Sequence, residues 1–246
     1  MNLTINTLTQ HRTYRHFKTD HHLSSEQLNA IIDCARQAPS WINGQHYSII
    51  NITDSELRAK IAALQPNNPQ LNTCSTLFIF LADLNRSRIC SDACDGTFSS
   101  AGDPDSLIAA VTDTTLAAQN AATAAESLGY GTCFVGGIRL IAPHIVELLA
   151  LPKYTFPLFG LCIGVPDTEM RIKPKLPKSA IYAENSYPDV AVQTQDLIEY
   201  EQTMSAFAEE REKLPFREKV ARYYSQTYGP DNLPLLHKQG FLTLKF

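Results

Sequence analysis

Apolar positions along the chain follow two periods, one helical and one of strand type. Leu28, Ile31, Ile32 and Ala35 recur at helical spacing. Ahead of them Ser24 and Gln27 form an S-x-x-Q capping box, with Leu23 and Leu28 placed as its hydrophobic staple. Pro39 opposes continuation, so residues 40–45 are predicted to be a loop. A strand follows over 46–52, carrying Tyr47, Ile49, Ile50 and Ile52. Thr53 and Glu56 repeat the capping box before a second helix with Leu57, Ile61 and Leu64 on one side. Residues 65–69 are a loop by composition. Residues 76–82 form an unbroken apolar run of strand length, the pattern of a strand buried on both faces.

Residues 84–102 mix Arg86, Arg88, two cysteines, Ser and Gly without a period, and read as a mobile cover or an irregular excursion. Asp103 before Pro104 reads as the N-cap and first turn of a long helix running to Gly129. Leu107, Ile108, Val111 and Leu116 are followed there by Ala117, Ala118, Ala121, Ala122, Ala124 and Ala125. A helix small or apolar on nearly every face is predicted to be buried all round, at a domain centre or in a dimer interface. A third strand is expected over 132–135, a short helix over 143–149 and a fourth apolar strand over 157–164. Past Pro166 the chain is rich in Pro and Lys. Two amphipathic helices follow, through Leu197, Tyr200, Met204 and Phe207 and through Phe216, Val220 and Tyr223. The alternation predicts an α/β or α+β sheet domain with helices on both faces.

Composition narrows the function. With 246 residues and 44% hydrophobic content the chain can fill a core. A net charge of −4 argues against a nucleic-acid partner. No apolar window of about 18 residues suggests a membrane span, and the N-terminus lacks the secretory pattern, so a reduced, cytoplasmic chain is expected. Cys34, Cys74, Cys133 and Cys162 lie in apolar or helical runs and are expected to be buried and inert. Cys90 and Cys94 have no second Cys/His pair, and no metal site is expected. Neither G-x-S-x-G nor H-E-x-x-H occurs. Gly129 and Gly131 follow a helix and precede a strand, the reverse of a dinucleotide fingerprint, and read as a helix C-cap. Gly136 and Gly137, at a strand end, would let a flat ligand lie against bare backbone.

Basic residues carry the candidate chemistry. His11-Arg12-Thr13-Tyr14-Arg15 packs nitrogen-rich side chains and a hydroxyl into five residues. Arginine presents a planar fork of donors suited to phosphate and ring carbonyl oxygens. If the segment is extended, His11, Thr13 and Arg15 share one side; if it is a helical turn, Arg12 and Arg15 converge. Lys173 and Lys175 flank Pro174 and would point the same way in an extended segment. Taken alone, each cluster would read as a solvated surface.

Four motifs occur in order: the pentad at 11–15, Ala38-Pro39-Ser40-Trp41-Ile42-Asn43-Gly44-Gln45, Phe134-Val135-Gly136-Gly137 and Lys173-Pro174-Lys175-Leu176-Pro177. In this order and spacing the chain resembles the flavin-dependent nitroreductase superfamily, and within it the NADPH-preferring group of oxygen-insensitive nitroreductases and NADPH flavin reductases. The resemblance runs from about residue 8 to the end. It implies one FMN-binding domain over 1–246, with a central mixed, mainly antiparallel sheet, a long buried central helix and a helical C-terminal extension from about 190–246. It also implies a homodimer.

By the same resemblance FMN is held by His11, Arg12, Thr13, Arg15, Ser40, Asn68, Val135, Gly136, Gly137, Lys173 and Lys175. Arg15 is expected near the pyrimidine side of the ring. Asn68 sits about where relatives use a polar contact from the dimer partner. Lys175 stands where relatives often carry Arg, which trades a bidentate fork for a point charge. Trp41, Ile42 and Asn43 would border the reactive face, and Arg211, with Arg217 and Arg222 nearby, is the candidate for reading the NADPH 2′-phosphate. The implied activity is two-electron, ping-pong hydride transfer from NADPH to nitroaromatics, quinones or similar small acceptors, with no dedicated side-chain acid or base. The alternatives are an NAD(P)H:flavin reductase releasing reduced FMN and a flavin-binding protein with little turnover.

Overall fold

The two most apolar runs become the two central strands of one sheet. The computed structural model describes residues 2–208 and 212–244. Its elements are α1 (Leu3–Thr9), α2 (Ser25–Arg36), β1 (Tyr47–Asn51), α3 (Ser55–Ala63), α4 (Gln70–Thr73), β2 (Thr76–Asp83), α5 (Asn85–Ala93) and α6 (Pro104–Ser127). There follow β3 (Gly131–Val135), α7 (Ala142–Leu148), β4 (Thr155–Gly164), α8 (Val190–Phe207), α9 (Phe216–Tyr224) and α10 (Asn232–Gln239). Residues up to Met170 together with those from Gly229 onward form one compact unit, and Arg171–Tyr228 form a second.

In the first unit the strand order is β1-β2-β4-β3, with every pairing antiparallel. Period-2 alternation splits β2 between two cores. Leu77, Ile79 and Leu81 face Ile61 of α3, Leu71 of α4 and Ile145 of α7. Phe78 and Phe80 face Ile31 and Ala35 of α2 and the alanines of α6. All eight residues of β2 are buried, as its apolar run requires. Phe78 and Phe80, fully buried, each contribute roughly 1.5–3 kcal/mol of transfer free energy. A third cluster brings α10 back to this unit, with Leu235 and Phe241 against Phe156 and Leu158. In the second unit Tyr200 of α8 stacks edge-on against Phe216 of α9, with ring centroids 4.8 Å apart.

Several sequence expectations hold in detail. Both halves of the Ser24–Gln27 capping box form. Asp103 caps α6, with Pro104 in its first turn. Gly129 takes φ +88 after α6, the left-handed turn of a helix terminus.

Others are corrected. Asp54, not Thr53, caps α3, because its carboxylate reaches both Glu56 N (2.8 Å) and Leu57 N (2.9 Å). Residues 85–93 are helical rather than irregular. That helix buries no residue and is fastened by polar contacts instead, including Asn85 N to Asp83 Oδ1 at 2.8 Å and Arg86 to the Gln45 carbonyl at 2.6 Å. Such a helix shows no apolar period. Helices α1 and α4 have no counterpart among the periodic segments, whereas α10 falls in the helical extension that the resemblance implies; α1 exposes Leu3, Ile5 and Leu8 and buries nothing. α6 is not buried all round within one chain, since Ile108 and Leu116 remain exposed. Gly131 opens β3 instead of capping a helix. Cys74, Cys133 and Cys162 are buried, but Cys34 is exposed.

Candidate active site

The pentad is extended, which removes the helical-turn alternative. Thr13 forms a parallel bridge with Thr132 at the start of β3, and Tyr14 N donates to Thr132 O at 2.9 Å. Glu126, near the end of α6, gathers this corner: its Oε1 accepts Thr132 Oγ1 at 2.5 Å and faces His11 Nδ1 at 2.7 Å. Arg12 Nε donates to Tyr14 Oη at 2.8 Å, and its two Nη groups make no other hydrogen bond among the described residues. Arg15 is half-buried and has no partner among the described residues, nor has the Thr13 hydroxyl. Among the described residues the strap therefore leaves the two Nη groups of Arg12 and the whole Arg15 guanidinium without a partner. That donor set fits the phosphate and ring carbonyl oxygens of a flavin mononucleotide.

At the far end of β3, Gly136 and Gly137 start a 3-10 turn. Val135 is buried in the core, so only its backbone is available to a ligand. A chain of side-chain amides abuts Gly137. Asn68 Nδ2 donates to Gln65 Oε1 at 3.1 Å, and Gln70 Nε2 donates to Asn68 Oδ1 at 3.0 Å. A Cβ on Gly137 would lie 2.4 Å from Gln65 Oε1 and 3.3 Å from Asn68 Nδ2. Asn68 thus reaches Gly137 within its own chain. Gln70 Oε1 is buried without a hydrogen bond among the described residues, an orphan acceptor at the back of the cluster.

Ser40, Trp41, Ile42 and Asn43 lie on a tight loop that turns at Ile42 and Asn43, both with positive φ. Trp41 is 63% and Ile42 78% exposed, so the chain's single Trp is no core residue. Trp41 walls a cleft of about 380 Å³ with Ile108, Thr112 and Leu116 of α6. Ser40 Oγ accepts Gln45 N at 3.2 Å and keeps its own proton to donate. Asp113, buried in α6, accepts Trp41 N (2.9 Å) and His46 N (3.1 Å) and pairs with His46 Nδ1 (2.9 Å).

Asp113, His46, Glu126 and Gln65 are residues that the motifs did not single out. Asp113 alone left a readable signal. It falls on the stripe of Ala110, Ala117 and Ala121, where a carboxylate needs partners.

In the second unit Lys173 pairs with Glu212 at 2.7 Å, and Lys219 pairs with the other oxygen of the same carboxylate at 2.6 Å. Burial raises the Glu212 pKa, but the two ammonium groups outweigh it and leave the carboxyl below its ordinary value. Lys175 is exposed. Arg217 grips Glu201 and Arg222 grips Glu218. Arg211, the candidate for the 2′-phosphate, lies outside the described residues.

The profile of the Nitroreductase family matches residues 8–165, and that of the Nitroreductase family, C-terminal domain, matches residues 173–243. The chain belongs to the nitroreductase family. It is 36% identical to the FMN reductase [NAD(P)H] of Bacillus subtilis, over 98% of each chain. It is 37% identical to the oxygen-insensitive NADPH nitroreductase of Salmonella typhimurium, over 99% of this chain and all of that one. Among solved structures, NADPH:FMN oxidoreductase from Vibrio harveyi complexed with NAD+ superimposes with a TM-score of 0.89 at 30% identity, over 99% of this chain and all of that one.

Proposed function

We infer that this nitroreductase-family protein is an FMN-dependent oxidoreductase that takes its electrons from NADPH and passes them to small oxidants such as nitroaromatics and quinones. The observation that carries the reading is the strap at residues 11–15, which is pinned to β3 yet leaves the Arg12 Nη groups and the Arg15 guanidinium without a partner among the described residues. When bound, the flavin supplies two-electron hydride chemistry, accepting from NADPH and giving to the acceptor in turn. The chain's part is to bind and to tune. Arg12 and the Thr13 hydroxyl suit the phosphate, and Arg15 suits negative charge on the pyrimidine side. Gly136 and Gly137 offer backbone groups to the ring, with the side-chain face of Gly137 covered by Gln65 and its partner Asn68. Ser40 adds a hydroxyl to the flavin, and Trp41, Ile42 and Asn43 border the substrate. His11, oriented by Glu126, completes the corner. The resemblance adds Lys173 and Lys175, carried by the second unit, and Arg211 for the 2′-phosphate.

A cytoplasmic homodimer belongs to the same reading. The exposed apolar side chains of α1 and α6 support a second copy, and among the described residues no helix is long and apolar enough to cross a membrane. A second reading, release of reduced FMN, is favoured by the name of the Bacillus subtilis relative, an FMN reductase at nearly the same identity as the nitroreductase.

The visible spectrum of the purified protein before and after anaerobic NADPH tests the proposal. Bands near roughly 370 and 450 nm that bleach are expected. Bands that persist would remove NADPH as reductant, and a protein that stays colourless with added FMN would refute the flavin itself. Steady-state rates with free FMN against a nitroaromatic separate the two readings.

A further inference from the structure

Asp113 is a buried carboxylate, 1% exposed, on the alanine face of α6, and nothing in the function outlined above requires it. It holds both ends of the Trp41 loop: Trp41 N is on Oδ1, and His46 N and the His46 ring are on Oδ2. Between these anchors Ile42, Asn43 and Gln45 take φ of 49, 55 and 51, a region that Asn tolerates but that strains Ile42 and Gln45. Such strain persists where the surroundings over-determine it. Here Gly44 N on Trp41 O (2.8 Å) and Arg86 on Gln45 O (2.6 Å) close the loop on itself and at its rim, while Asp113 ties it to the helix core. The His46 ring lies so close beneath Gly44 that a Cβ there would sit 2.3 Å from its Cε1 and Nε2.

We propose that Asp113 is the positioning residue of this loop, clamping its strained backbone so that Trp41 and Ile42 stand outward as a fixed apolar edge for the flat aromatic acceptor. The proposal rests on the reading of residues 41–43 as bordering the substrate. Without the clamp the loop relaxes toward ordinary backbone angles, and the edge no longer stands in one place. Acceptor binding weakens, while hydride transfer from a correctly bound molecule proceeds as before.

The test uses the chain's single tryptophan as a local probe. Asp113→Asn keeps the size of the side chain but sets an amide donor against N–H groups that need an acceptor. Gly44→Ala attacks the same clamp from the loop, by displacing the His46 ring. On the full-length protein as purified, both variants should red-shift Trp41 emission and lower its anisotropy. Both should raise KM for a nitroaromatic acceptor about tenfold, with kcat within threefold and FMN content unchanged.

Unaltered Trp41 emission and anisotropy would overturn the clamp. A shifted emission with unchanged KM would overturn the positioning role while leaving the flavin enzyme standing. A parallel fall in kcat and FMN content would mark general structural damage and overturn it as well. If Asp113→Asn does not fold, Gly44→Ala decides. A wild-type protein that takes up no FMN would remove the function, and the positioning role with it; the emission arm would still report on the clamp by itself.

Discussion

Two glycines placed two residues apart give a sharp test of how the arginine strap is seated. A Cβ on Gly131 would lie 2.6 Å and 2.7 Å from ring atoms of Tyr14 and 2.9 Å from Pro166 Cγ. Ordinary carbon contacts are about 3.5–4.0 Å, so in Gly131→Ala the Tyr14 ring must retreat by about 1 Å. Neither neighbour is a flexible chain end that could swing aside. Overpacking of this kind costs about 1–3 kcal/mol, a loss of roughly 2–12 °C in melting temperature for a chain of this length. Moving Tyr14 also pulls its hydroxyl from Arg12 Nε and its amide from Thr132 O. The loss of one charge-assisted contact to the cofactor, about 1.5–3 kcal/mol, weakens FMN binding about tenfold to a hundredfold.

Gly129→Ala is the control. Gly129 has φ +88 and nothing within 4 Å of where the new methyl group would stand, so the substitution costs only backbone strain, about 1–2 kcal/mol. Thermal unfolding and titration of FMN fluorescence quenching read the two effects separately. Both variants should melt earlier, and only Gly131→Ala should bind FMN more weakly. Equal FMN affinity in the two would refute the claim that Tyr14 seats the strap.

Arg15→Gln should make the bound flavin's two-electron potential about 30–60 mV more negative, because a charge-assisted contact worth about 1.5–3 kcal/mol to the reduced anion is lost; dye-equilibration titration checks this, and an unchanged potential places Arg15 away from the ring. Arg211→Ala should raise KM for NADPH and leave that for NADH unchanged, whereas equal effects on both would end its assignment to the 2′-phosphate. Glu212 has a folded-state pKa held below the ordinary 4.5 by Lys173 and Lys219, against the opposing effect of burial. Its stabilisation is therefore present above that value and is lost as pH falls through the lower folded value. Urea midpoints of the wild type and Glu212→Gln should differ most near pH 7 and converge only once the pH has fallen through the lowered folded value, and a gap that persists in stronger acid would contradict the pairing.

Elements whose stability comes from apolar periodicity were legible. β2 and β4 stood out because both faces of a central strand must be apolar, and α2 and α6 because their caps and stripes coincide. Elements held by other means were silent. α5 buries nothing and hangs on Arg86 and Asp83, and α1 exposes its apolar side chains, so neither shows a periodic pattern. The site divides in the same way. The pentad and the glycine pair were visible as local clusters of unusual chemistry. Glu126 was not, because it acts on His11 from 115 positions away.

By itself the sequence determined the four strands, helices α2, α3, α6 and α7, the donors at residues 11–15 and the glycine pair at 136 and 137. These follow from side-chain chemistry and from spacing along the chain. Only the tertiary structure decided that the pentad is extended, since a five-residue segment has no strong preference until Thr132 supplies a strand to lie against. The tertiary structure also turned Asp113, one acid among many in the sequence, into a buried acceptor for two loop amides and an imidazole. That outcome depends on which chain segments meet at the middle of α6: the alanine stripe marks the carboxylate as needing partners, but nothing local says which ones.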